Sequence, residues 1–219
     1  MDFWLFLNQL SWKRIGFSIV LFFCSSVLLF FSFFCRTLPF WSGGFHKLTR
    51  EGCPTVIMRV GKADPTKLLE KFNEETLTNF YVFWMEYSLK LQKESLPIKL
   101  EKFEKDGTPV THGVVEIYDL AGVSLSQLNV WALNSLSRVL KIGAEHYPEN
   151  LHRGFFVNAP VLFSAAWKVV RVVLPAATQA RISVSSSANV DELLKYISPE
   201  NLPDFLGGTD TSFPAMTPQ

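Results

Sequence analysis

HYPENLHRGFFVNAPVLFSAAWKVVRVVLPAATQARI, residues 146–182, reads as a turn, a buried strand, a second turn and a nearly all-apolar helix. Tyr147-Pro148-Glu149-Asn150 is turn chemistry, since proline fixes φ and asparagine tolerates unusual backbone angles. Phe155-Phe156-Val157 is a short aromatic and β-branched run, the pattern of a strand covered on both faces. Asn158-Ala159-Pro160 stops it, because proline has no N–H to give a ladder. From Val161 to Leu174 the strongly polar side chains are Ser164, Lys168 and Arg171. Spacings of four and three put them on one narrow stripe. The rest of that helix is apolar or small, so it must be covered nearly all round. Two coverings satisfy this: core with a thin wet edge, or core on one side and lipid on the other.

The flanking sequence alternates strands with helices. Thr55 to Val60 (TVIMRV) alternates in and out as a strand, which Gly61 ends. Asp64-Pro65 is a helix start, with Asp as cap and Pro in the first turn. A second helix from Asn73 carries Leu77, Phe80, Tyr81, Trp84, Ser88 and Leu91 at spacings of three and four. Leu96 to Gly107 reads as a charged loop punctuated by Pro97 and Asp106-Gly107. Val114 to Tyr118 is a strand. Ser124 and Gln127 form a capping box that opens a helix through Leu128, Ala132, Leu136 and Val139 to about Gly143. Ile182 to Val184 is a further strand, and Asn189 with Glu192 boxes a helix from Val190 to Ile197. The order predicts an α/β fold, a sheet flanked by helices. Residues 209–219 are expected to be disordered.

A chain of 219 residues holds one domain and an appendage. With 21 basic against 20 acidic residues it lacks the electrostatic footprint of a nucleic-acid binder. Half of its 20 phenylalanines fall in the first 40 positions. Phe17 to Cys35 is 19 residues without a charge, long enough to cross roughly 30 Å of hydrocarbon. Residues 1–36 are therefore expected to be a hydrophobic anchor, a transmembrane helix, with a signal peptide or a mis-joined start as the alternatives. Basic residues flank the run on both sides and set no orientation. Residues 37–54 read as a linker.

The three cysteines are Cys24, Cys35 and Cys53, with no Cys-x-x-Cys pair and no Cys/His metal spacing. No metal and no cofactor are expected. The odd count leans towards a cytoplasmic setting for the domain. Catalysis finds little support. The sequence has no Gly-x-Ser-x-Gly elbow, no phosphate loop and no His-Glu-x-x-His, and its four histidines are scattered.

Several pieces in order resemble the CRAL-TRIO lipid-binding domain family, which includes phosphatidylinositol-transfer (Sec-fourteen-like), α-tocopherol-transfer and cellular retinaldehyde-binding proteins. They are Ile117-Tyr118-Asp119-Leu120-Ala121-Gly122, the turn Tyr147 to Glu149, and the strand ending Asn158-Ala159-Pro160. The apolar helix, Leu193 to Ile197, Asn201-Leu202-Pro203 and Gly207-Gly208 complete the set. The likeness covers roughly residues 45–208. It implies a mixed β-sheet flanked by helices, an apolar cavity and a movable gate helix over Val161 to Leu174.

The resemblance places Phe156, Phe163, Trp167, Val170 and Leu174 on the gate and cavity, with Lys168 and Arg171 meeting the membrane. It assigns the lipid headgroup to Glu149, Thr178 and Arg181. The positions that hold a choline headgroup fall at Val114 and Glu116, where valine donates no hydrogen bond and a carboxylate repels phosphate. The implied function is binding a hydrophobic lipid, phosphoinositide-type or another, and transferring or presenting it at membranes. The domain would face the cytoplasm, with a lipid and a membrane as partners. The alternative is an interaction or scaffold protein that keeps the fold without the cargo.

Overall fold

Runs of β-branched and aromatic residues form one five-stranded sheet, because each can bury a side chain on either face. The structure, a computed structural model, describes residues 42–213 other than 125, 126 and 129. The strands are β1 (Gly43–Leu48), β2 (Pro54–Arg59), β3 (Val114–Asp119), β4 (Leu151–Val157) and β5 (Ile182–Val184), in that spatial order. β1 runs antiparallel to β2 and the other pairs are parallel. The sheet is mixed, as expected. The stretch read as a linker over 37–54 contains β1, hidden because its glycines and charges mask a six-residue edge strand.

The helices are α1 (Pro65–Lys71), α2 (Glu74–Asp106), α3 (Val130–His146), α4 (Phe163–Val170), α5 (Ala176–Gln179) and α6 (Val190–Tyr196). The Asp64 carboxylate accepts from the Lys67 N–H, and Asn73 Oδ1 accepts from the Thr76 N–H. The expected Asp64 cap is therefore in place, and Asn73, read only as a helix start, caps the next helix. The charged stretch Leu96 to Gly107 is not a loop but the end of α2, a correction. Pro97 offers no N–H to the carbonyl four residues back, yet the surrounding Leu, Lys, Glu and Ile are good helix formers. The helix stops only at Gly107, at φ 74.

The Ser124–Gln127 box closes a turn, with Gln127 Oε1 accepting from the Ser124 N–H. Gln127 Nε2 donates to the carbonyls of Val60 and Ala63 instead of extending a helix. α3 starts later, at Val130, and runs to His146. At α6 Asn189 bonds the Glu192 carboxylate but caps no backbone N–H. Its φ of 51 turns the chain into the helix. Gly61 is required where β2 ends, since a Cβ there would lie 1.9 Å from the Ala121 carbonyl oxygen.

The sheet has two unlike faces. On the back, Ile57, Val115, Ile117, Phe155 and Val157 pack against Leu193, Ile197, Leu202 and Leu206, every one at 2% exposure or less. On the front, Val56, Met58 and Val114 pack under Phe45, Trp84 and Tyr118, while Leu120, Val123, Phe163 and Ala166 form a second cluster.

Residues 209–213, expected to belong to a disordered tail, are held in the fold, a correction. Asp210 is buried, bonded to His46 Nε2 at 2.6 Å and to Lys47 at 3.0 Å. Phe213 packs on His46 and Phe205. The rest of the expected tail and the expected N-terminal anchor lie outside the described residues. Among those described, no helix is long and apolar enough to cross a membrane.

Candidate functional site

The chain enters the expected gate through a polar clasp. Asn158 adopts φ 53, and its Nδ2 donates to Asp119 Oδ1 at 2.8 Å. The same oxygen accepts from the Ala121 N–H at 3.0 Å. The clasp joins the Tyr118-Asp119-Leu120-Ala121 and Asn158-Ala159-Pro160 stretches, which is the local reason for that residue pairing.

The gate is not one uninterrupted helix, as the apolar run suggested. α4 ends at Val170, Arg171–Val173 tighten into a 3₁₀ turn, and Leu174 is extended before Pro175. Proline biases the residue before it away from helix. The carbonyls of Arg171 and Leu174 accept from Gln179 Nε2 at 2.9 Å each, so α5 clips the end of this segment. Gln179 was not singled out from sequence. An amide eight residues downstream carries no pattern that would reveal it.

The residues expected on the gate separate by face. Phe163 and Val170 are buried and Trp167 and Leu174 half-buried. The Phe163 and Trp167 rings lie 5.4 and 5.2 Å from that of Phe156, which stacks at 4.7 Å on Tyr118. Val161, Val169 and Val172 point outward with Lys168 and Arg171, and Val161 is 93% exposed. The helix thus carries an aromatic inner face and an outer face that is apolar and cationic.

Beneath this aromatic group the front of the sheet carries an acid. Glu116 Oε2 accepts from the Tyr118 hydroxyl at 2.7 Å. Burial pushes the Glu116 carboxyl above its usual range, more than the Tyr118 bond lowers it. Burial also raises the Tyr118 and Tyr81 hydroxyls, and the nearby Glu116 adds to both. A carboxyl whose ionisation burial disfavours, beside two phenols, is a hydrogen-bonding group set in an apolar wall.

Glu149, Thr178 and Arg181 come together at one end of β4 and β5. Glu149 sits in the turn at φ 59, 77% exposed, and its Oε1 is 3.9 Å from Arg181 Nη2. The other arm of the guanidinium, Nη1, donates to the Leu151 carbonyl at 2.8 Å. The Arg181 N–H donates to the Thr178 carbonyl at 3.0 Å. One arm of the fork is anchored and the other meets a loose, exposed acid, so that ion pair contributes about 1 kcal/mol at most. Such a fork can accept an anionic oxygen.

A cleft of about 300 Å³ opens elsewhere, lined by Leu69, Phe72, Leu77, Asn134, Arg138 and neighbours. None of the expected gate or headgroup residues lines it.

A family model described as CRAL/TRIO domain matches residues 41–208. Phosphatidylinositol/phosphatidylcholine transfer protein SFH11 of Arabidopsis thaliana is 31% identical over 206 residues, 94% of this chain and 52% of that protein. Phosphatidylinositol/phosphatidylcholine transfer protein SFH14 of the same plant is 34% identical over 166 residues, 75% of this chain and 28% of that one. The chain therefore spans about half or less of the length of these relatives. The crystal structure of Sfh5 shares the fold, with a TM-score of 0.51 at 18% identity over 82% of this chain and 57% of that chain. With the family model spanning most of the chain and the mixed sheet in place, the protein belongs to the CRAL/TRIO domain family.

Proposed function

We propose that the domain binds a hydrophobic lipid between the front of the sheet and the gate, and transfers or presents it at a membrane. Burying an acyl chain recovers about 0.8 kcal/mol per CH₂, so a carrier needs an apolar wall that can open. The carrying observation is the gate's two-sided chemistry. Its inner aromatics sit on Phe156, while Val169 and Val172 face outward beside Lys168 and Arg171. Apolar side chains flanked by cations suit a headgroup–acyl boundary carrying anionic lipid. Two relatives named for phosphatidylinositol and phosphatidylcholine transfer support the same reading.

Arg181, steadied by Leu151 and flanked by Glu149 and Thr178, is our candidate for an inositol phospholipid's phosphate. The choline side of those relatives' names has less support here. Val114 is buried and apolar, and Glu116 presents a carboxyl where a phosphate would need a donor. The expected membrane anchor in residues 1–36 would hold the domain at a cytoplasmic surface and favour local exchange. No catalytic role is proposed. The exposed Ser185 and Ser187 hydroxyls bond to each other.

Transfer between liposomes tests the reading. Val170 is buried, so a charge there would unfold the gate. The exposed Val169 and Val172 are the positions to change. The double variant Val169→Asp/Val172→Asp should lower transfer about tenfold with an unchanged melting curve. Arg181→Ala should reduce transfer of phosphatidylinositol several-fold more than that of an apolar cargo such as a tocopherol. Unchanged transfer in the valine variant would refute the gate, and equal losses across cargoes would reduce Arg181 to a structural residue.

A further inference from the structure

Three residues that no sequence pattern groups meet on the back of the sheet, outside the lipid site. Glu51 lies in the β1–β2 turn, Cys53 just before β2, and His152 near the start of β4. One ligand atom from each lies within 4.8 Å of the other two. Cys53 is fully buried. His152 Nε2 stands 3.2 Å from Glu51 Oε2. That oxygen is buried and accepts no hydrogen bond, so the two groups are close without being directed at each other. Two ligands facing a common point would show this geometry.

From this geometry we propose that Glu51, Cys53 and His152 bind a divalent metal ion of the zinc type. Thiolate, imidazole and carboxylate together are a zinc ligand set, and three protein ligands leave a fourth position open. Ligand atoms around a tetrahedral zinc lie roughly 3.5 Å apart, so small side-chain rotations close the site. A second layer of contacts orients the sulfur. The Thr111 hydroxyl is 2.9 Å from Cys53 Sγ, and Lys99 Nζ donates to the Thr111 carbonyl at 2.9 Å.

The charges balance. One thiolate and one carboxylate neutralise a divalent ion. The cations that lie near His152 are Lys99, Arg153 and Arg181, and each is already engaged. Lys99 holds Thr111, Arg153 sits over the Tyr196 ring, and Arg181 holds Leu151. A bound ion would fasten the β1–β2 turn to the start of β4.

The test uses the full chain, stripped with a chelator and titrated with Co²⁺ and then with Zn²⁺ in competition. Expected is one equivalent of Co²⁺ with a thiolate-to-metal charge-transfer band, displaced by Zn²⁺. Cys53→Ser should abolish the band while Cys24 and Cys35 remain. His152→Gln and Glu51→Gln, which leave the buried core alone, should each weaken Co²⁺ binding at least tenfold. They decide the question should Cys53→Ser fail to fold. Absence of the band in the wild type, its persistence in Cys53→Ser, or unchanged affinity in both glutamine variants would overturn the site.

Discussion

The two faces of the sheet use alternate residues of the same strands, yet they are finished differently. The back closes over Leu193, Ile197, Leu202 and Leu206, all fully buried. The front is left with half-buried Tyr118, Phe156 and Glu116 under a short gate held by the Asn158 clasp and Gln179. A face packed solid with aliphatic side chains has one tight arrangement and resists opening. A face of flat rings and one acid, covered by a segment of helix, 3₁₀ turn and extended residue, has weaker reasons to stay shut. On the proposed reading, the back gives the domain its stability, and the front is where a lipid would compete for the same surface.

The largest contrast should appear in stability. Leu193→Ala on the back opens a void in a sealed core and should cost about 3 kcal/mol in urea unfolding. Phe156→Ala on the front should cost about half as much, although it removes a larger side chain. Similar losses would mean that the faces are equally packed.

Next comes the clamp that closes the back's far edge. The Ser212 hydroxyl, its N–H, Lys47 and His46 hold the Asp210 carboxyl well below its usual range, against a smaller opposing effect of burial. Such a group contributes stability that is present above the unfolded carboxylate pKa and lost as pH falls through the lower folded value. Asp210→Asn should cost about 1–2 kcal/mol at pH 7, because it weakens the acceptor shared by Ser212, His46 and Lys47. The cost should shrink when unfolding is measured at pH 3. A pH-independent loss would assign Asp210 a packing role alone.

The smallest effect belongs to the front. Glu116 is raised by burial, so the folded protein keeps a proton that the unfolded chain releases. Its contribution to stability therefore falls as pH rises above the unfolded value of about 4.5. Relative to Glu116→Gln, the wild type should lose stability from there towards neutral pH. A flat difference between the two proteins would place a charged, solvated carboxylate on this face.

Much of the fold was legible from the chain, though the difference between its two faces was not. The strand residues, the helix starts at Asp64 and Asn73, and the apolar segment after Pro160 announce themselves by period and by capping chemistry. So does the family, through pieces that are weak singly and strong in order. What was hidden is long-range. β1 reads as a linker because an edge strand of Gly, His and Lys lacks alternation. The end of α2 reads as a loop because Pro97 outweighs good helix formers in a local view. Asp210 looks like tail until His46, 164 residues away, is found beside it. The Glu51–Cys53–His152 cluster is assembled only by the pairing of β2 with β3 and β3 with β4, which no spacing rule encodes.

Native mass spectrometry of the full chain, purified without added lipid, puts the difference between the faces to its most direct test. The account predicts a folded protein carrying one lipid-sized adduct, lost in the Val169→Asp/Val172→Asp variant or exchanged on incubation with liposomes. A folded protein at its bare polypeptide mass, still bare after liposomes are supplied, would contradict it.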